Sequence, residues 1–213
     1  STSGSDVDDG NPGSPFASIQ EGINAGSDGD TILVEAGTYV EPNVPYYGNG
    51  YSAGPNLYEK NNLAIIADPI GSVIIDLDDH NYGFCFSKSS TNNIVDGFTI
   101  RNSGSEMITA WNNSSDNTFM NCVFLATDGE DFTYTTYDPG HIILNCTFIG
   151  DGTNQTIYNP VEDGAVPTVL NSIIYNYDQF MGSDYVDDIP INNSLFHEVG
   201  GTLPTGGDVV YLN

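Results

Sequence analysis

Lys60, Lys88 and Arg101 are the only three basic residues in the chain, so chemistry that needs a protein cation must draw on them. Arg101 follows the apolar Ile100 and points outward, and Lys88 lies one turn of chain earlier. Together they form a candidate pair for neutralising an anionic substrate, with a solvated or salt-bridged Arg as the plainer reading. Acids are abundant. Asp76, Asp78 and Asp79 fall in "DLDDHN", and Asp128, Glu130 and Asp131 in "DGED". Two carboxyl groups about 5 to 9.5 Å apart would suit acid–base cleavage of a glycosidic bond. In so acidic a chain, such clusters also arise as solvated turns.

Hard oxygen ligands are grouped once more near the start. "DVDDGN" places Asp6, Asp8 and Asp9 around Gly10, a spacing that suits Ca2+, although the loop lacks the distal bidentate Glu of an EF-hand. Calcium is the one cofactor expected, and no organic cofactor is. His80, His141 and His197 do not form a transition-metal motif. Tyr46, Tyr47, Tyr51 and Tyr58 belong to a Tyr/Gly/Pro-rich insertion at about 43–60, where they either contact sugar rings or partners or pin the loop to the protein wall.

Composition limits the partners. Three basic residues against 29 acidic ones give a net charge of −26 over 213 residues, a field that repels nucleic acid and anionic lipid. Gly, Asn, Asp, Ser, Thr and Tyr dominate over Lys, Glu and Arg, which favours strands and turns over helices. No apolar run reaches the roughly 18 residues needed to cross a membrane. The chain begins at Ser1 and reads as a single domain over 1–213, processed or excised from a larger protein.

The elements that must position these residues come from an internal repeat. "VDGFTI", "FMNCVF", "ILNCTF", "VLNSII" and "INNSLF" align without gaps, and their third column holds Gly97, Asn121, Asn145, Asn171 and Asn193, at separations of 24, 24, 26 and 22 residues. Gly and Asn are the residues that enter the left-handed backbone region at low cost, so the column predicts a one-residue bend between two short strands. The first, fourth and sixth columns read as core. A repeat of this length matches one coil of a parallel β-helix. Regular coils are expected over about 62–213. Cys122 and Cys146 fall in the fourth column and read as small buried thiols; Cys85 completes an odd set.

The segment "SPFASIQEGINAGSDGD" differs. Phe16, Ile19 and Ile23 recur at helical spacing after Ser14 and Pro15, predicting an amphipathic helix at about 14–26 that covers the open end of the coil stack.

Taken together, the opening "STSGSDVDDGNPGSPFASIQEGINAGSDGDTILVEAGTYVE" and the "GFTIRN" and "NCTF" coils resemble the secreted right-handed parallel β-helix proteins of the pectate-lyase-like superfamily. The resemblance implies an all-β right-handed β-helix with an N-terminal amphipathic capping helix, in an extracellular or cell-surface setting. It also implies a choice of functions, because such coils serve polysaccharide lyases, glycosidases, adhesins and structural surface proteins alike. In the lyases, Ca2+ with Arg or Lys neutralises the substrate carboxylate and positions the base.

One anomaly tilts the expectation. Positions that should face outward hold Val123, Leu125, Ile149, Ile173, Tyr175 and Leu195, an apolar stripe that invites cover by a loop or another subunit. The expected function is therefore a structural or adhesive module that engages neighbours or other surface proteins and self-assembles into a filament or sheath. The alternative is a polysaccharide lyase, glycoside hydrolase or glycan-binding module.

Overall fold

The computed structural model describes residues 2–41, 44–46, 51–126, 132–136, 138–153, 156–160, 167–181, 190–200 and 209–212. Its strands stack coil upon coil in parallel register, forming a right-handed parallel β-helix with three walls.

Two walls meet at the predicted bend. The first contains β6 (Ile94–Asp96), β8 (Thr118–Met120), β11 (Ile142–Leu144), β14 (Thr168–Leu170) and β17 (Ile191–Asn192). The second contains the start of β7 (Phe98–Ala110), then β9 (Val123–Leu125), β12 (Thr147–Ile149), β15 (Ile173–Tyr177), β18 (Ser194–Val199) and β19 (Val209–Leu212). Between them Gly97, Asn121, Asn145, Asn171 and Asn193 all have φ between 51° and 86°. The Asn amides stack: Asn145 Nδ2 donates to Asn121 Oδ1, and Asn171 Nδ2 to Asn145 Oδ1, each at 3.3 Å. Every residue of the first, fourth and sixth repeat columns is buried, from Val95 to Phe196. Phe124 and Phe148 stack at 4.8 Å between ring centres, continuing the core from coil to coil.

A second, inner ladder was not read from the sequence. Asn93 and Asn117 are fully buried two residues before the first core column. Asn93 Oδ1 accepts from Leu63 N at 2.9 Å, and Asn117 Oδ1 accepts from Asn93 N at 3.0 Å. Each amide thus satisfies a backbone donor of the preceding coil that the corner would otherwise strand. His141 occupies the next place in this column, buried and tilted against Phe86.

The third wall contains β4 (Asn56–Tyr58), the end of β5 (Ala64–Ser87), the end of β7, β10 (Phe132–Thr136), β13 (Thr156–Pro160) and β16 (Gln179–Met181). Within the Tyr-rich insertion, β2 (Val44–Tyr46) and β3 (Tyr51–Ala53) form an antiparallel hairpin, which joins this wall through the pairing of Ala53 with Tyr82.

The cap helix α1 spans Ile19–Ala25, shorter than the 14–26 expected, with Ser18 rather than Ser14 at its N-cap. Asp6 is the reason: its Oδ1 accepts from Ala17 N and Ser18 N at 3.0 and 2.8 Å, holding the chain before Ile19 in a loop. Ile19 and Ile23 are buried over the coil end as predicted. The first helical N–H groups donate to a buried carboxylate, with Ile19 N 2.9 Å from Glu41 Oε1 and Gln20 N 2.8 Å from Glu41 Oε2. Burial pushes the Glu41 carboxyl above its ordinary range despite these two donors. At the other end, Lys60 Nζ donates to the carbonyls of Asn24 and Gly26 at 3.0 and 2.7 Å. No helix among the described residues is long and apolar enough to cross a membrane.

Candidate functional site

Side chains alternate along a strand, so the third wall presents every second residue outward. Tyr58 pairs with Ser87 across adjacent coils, and Trp111 N donates to Phe86 O at 3.0 Å, which brings Trp111 alongside Ser87 in the next coil. Tyr58, Ser87 and Trp111 therefore form one outward column, with the small Ser87 buried between two aromatic residues. Ser87 Oγ is held by Asn56 Oδ1 at 2.9 Å. The Trp111 indole donates through Nε1 to Thr109 Oγ1 and meets the Tyr82 ring edge-on at 6.2 Å between centres. Ala53 and Cys85 are buried beneath this pair.

Lys88 stands beside Tyr58. Its Nζ lies 2.7 Å from Glu59 Oε1 and donates to Tyr58 Oη at 2.6 Å, with the Tyr58 ring centre 4.8 Å away. The Glu59 carboxylate and then the Tyr58 hydroxyl hold the Lys88 ammonium more firmly charged than an isolated lysine. A lysine kept charged in this way can pair with an anion but cannot take a proton at neutral pH. The backbone turns this corner through left-handed Glu59, Lys88 and Ser89.

Lys88 and Arg101 are not brought together. Arg101 lies on the second wall, in register with Asp76 of the preceding coil, and its Nε and Nη2 both reach Asp76 Oδ2, at 3.0 and 2.9 Å. Asn102 Nδ2 donates to the other oxygen of Asp76 at 2.8 Å. Burial works to raise the Asp76 carboxyl, but the bonds from Asn102 and Arg101 outweigh it and hold the group below its ordinary value. Two of the predicted site residues thus neutralise each other. Asp79 sits in β5, and Asp78 takes a left-handed turn beside it. Asp128, Glu130 and Asp131 lie outside the described residues, as does Tyr47.

The N-terminal acids close their own loop. Besides the two backbone donors, Asp6 Oδ1 accepts from Ser18 Oγ at 3.0 Å. Asp9 accepts from Asn11 N and Nδ2 at 3.2 and 2.9 Å and from the Ser14 hydroxyl, and the Ser14 and Asn11 bonds hold its carboxyl below the ordinary value. Asp8 N is tied to Ser5 O at 2.9 Å. Among the described residues no group of three or more His, Cys, Asp or Glu is arranged to hold a metal ion.

The outward apolar residues occupy two columns of the second wall. Val123, Leu125, Ile149 and Leu195 are half-buried, whereas Ile173 and Tyr175 are 44% and 38% exposed. Tyr175 stacks on His197 of the next coil, with ring centres 5.3 Å apart and planes 8° from parallel. The first wall carries a matching column, Met120, Leu144 and Leu170, separated from Ile66 by Asp96, that sequence reading missed. Its signal was present in the repeat at Met120, Leu144 and Leu170, each one position before an Asn bend.

No family model and no curated protein matches the chain. Solved structures that share its fold include two lyases. A rhamnogalacturonan lyase is similar at TM-score 0.56 and 14% identity, over 92% of this chain and 67% of that one. The PL6 family alginate lyase AlyGC is similar at TM-score 0.59 and 17% identity, over 84% of this chain and 27% of that one. The chain thus spans about a quarter of the alginate lyase's length. In fold, this chain is a right-handed parallel β-helix.

Proposed function

We propose that this chain is an extracellular polysaccharide-recognising β-helix whose contact surface is the third wall. The observation that carries the reading is the outward column Tyr58–Ser87–Trp111 with Lys88 at its edge. Aromatic side chains offer flat apolar faces against which the C–H faces of sugar rings pack. A coil rise of about 4.8 Å sets Tyr58 and Trp111 two steps apart along the axis, so a chain of sugars lying parallel to the stack meets one after the other. The backbone of the β2–β3 pair borders the same wall, joined to it where Ala53 pairs with Tyr82. Two polysaccharide lyases with this fold support the carbohydrate reading over the filament or sheath first expected.

Recognition is favoured over cleavage by the state of the cations. Lys88 is held charged by Glu59 and Tyr58, and Arg101 is engaged by Asp76, so neither is poised as a base for β-elimination. With a net charge of −26, a neutral or sparsely charged polysaccharide is the better ligand. Binding to a panel of neutral and acidic polysaccharides, with products assayed in parallel, tests the reading. Retention of neutral chains without new reducing or unsaturated ends is expected, whereas turnover would establish an enzyme. The apolar columns on the first and second walls are the one feature that favours a second reading, engagement of a protein neighbour.

A further inference from the structure

Cys122 and Cys146 occupy the same core column of consecutive coils, 24 residues apart. The coils are locked in register there: Thr147 pairs with Val123, and Thr147 N donates to Cys122 O at 2.9 Å. Parallel neighbours stack at about 4.8 Å, inside the roughly 4.4–6.8 Å that separates the Cα atoms of a disulfide. Both side chains point into the core and are 1% exposed. Cys122 Sγ lies 3.2 Å from Met120 O and 3.7 Å from Val95 O, and Cys146 Sγ 3.4 Å from Leu144 O and 3.6 Å from Phe119 O. Cys85 is apart from them, on the outer side of the third wall under Tyr82 and Trp111.

The later coils show what this column does. Ser172 Oγ accepts from Cys146 N at 3.2 Å, and Ser194 Oγ accepts from Ser172 N at 3.1 Å, so each serine ties its coil to the one before it. A sulfur–sulfur bond between Cys122 and Cys146 would make the corresponding tie covalent. The column therefore has a linking role for which both residue types are suited.

We propose that Cys122 and Cys146 are a modification site that closes to an inter-coil disulfide, with a small-molecule disulfide such as oxidised glutathione as the oxidant. Exchange takes place during folding, before the coils above seal the core. One of the two cysteine thiolates attacks one sulfur of the oxidant and expels the first thiolate, which takes up a proton. The other cysteine then gives up its proton and attacks the protein sulfur of the mixed disulfide, expelling the second thiolate. Two protein thiols are oxidised and one disulfide is reduced to two thiols. In a solenoid each coil contacts only its neighbours, so a covalent tie in the middle of the stack opposes opening at the place where separation would divide it.

The test uses the full chain with Cys85→Ser, refolded in a glutathione redox buffer, unfolded without reductant, and alkylated before mass analysis. The expected result is no alkylated thiol, a proteolytic fragment joining the Cys122 and Cys146 peptides, and a Tm that falls on adding reductant. Two alkylated thiols, glutathione adducts or cross-links between chains would overturn the proposal. Cys122→Ser and Cys146→Ser in the same background serve as folding controls, because serine already occupies this column at Ser172 and Ser194. Each should fold and leave one alkylatable thiol.

Discussion

Lys88 and Tyr58 are coupled twice, through a 2.6 Å hydrogen bond to the phenol oxygen and a 4.8 Å approach to the ring centre. The arrangement fixes an exposed aromatic ring on a surface where a free tyrosine would sample several rotamers. It also places the one cation of this site where it orients a ring instead of performing proton transfer. The consequence is a preorganised aromatic surface, proposed here to contact sugar, whose parts can be separated by substitution.

The Arg101–Asp76 pair lies on a different wall and should matter for stability alone. Asp76 is 17% exposed and Arg101 38% exposed at the side chain, so solvent screens much of their attraction. Asp76→Ala should cost about 1 kcal/mol in urea unfolding. Polysaccharide binding by this variant should equal that of the parent chain, measured by affinity electrophoresis.

The two Asn ladders predict opposite tolerances. Asn117→Ala strands the buried Asn93 N–H and should cost about 2 kcal/mol. Asn145→Gly keeps a residue able to adopt φ 54° and loses only exposed 3.3 Å contacts, so its cost should stay within about 0.5 kcal/mol. Equilibrium unfolding of the two variants side by side checks the contrast.

This difference also marks what the sequence could reveal. The outer column was legible because Gly97 and the four asparagines share a conformational need that few other residues meet, and alternation then assigned Phe124, Phe148 and Phe196 to the core. Asn93 and Asn117 obey the same 24-residue spacing, but the column changes to His141 in the next coil and its chemistry loses continuity. Glu41 was hidden for another reason: its two acceptors meet α1 across 21 and 22 residues of chain, a contact no local pattern encodes. The candidate site was half legible. Tyr58 stood out by composition, but Trp111 joins it only through coil register, and the apparent Lys88–Arg101 pair dissolves because the register gives each a different acid.

His141 makes stability depend on pH. Burial lowers its pKa to about 4 from an ordinary 6.5, against the opposing pull of Asp138 and Asp116. The unfolded chain therefore binds more protons between these values, and the folded state loses stability as pH falls from about 6.5 to about 4. The full effect of this one group is on the order of 3 kcal/mol. His141→Asn, which continues the Asn93 and Asn117 column, should lose less stability than the parent over that window. Comparing unfolding midpoints and m-values at pH 7 and pH 4.5 for the two chains isolates this contribution from the general titration of the 29 acids.

The central claim is that the third wall holds the polysaccharide. Its most direct test is the dissociation constant for the tightest-binding neutral polysaccharide, measured for the parent chain, Tyr58→Ala and Trp111→Ala at matched folding. Loss of either aromatic contact should weaken binding by about tenfold, the equivalent of about 1.4 kcal/mol, with the Tm still showing a cooperative transition. Unchanged affinity in both folded variants would contradict the account and move the contact surface to another wall.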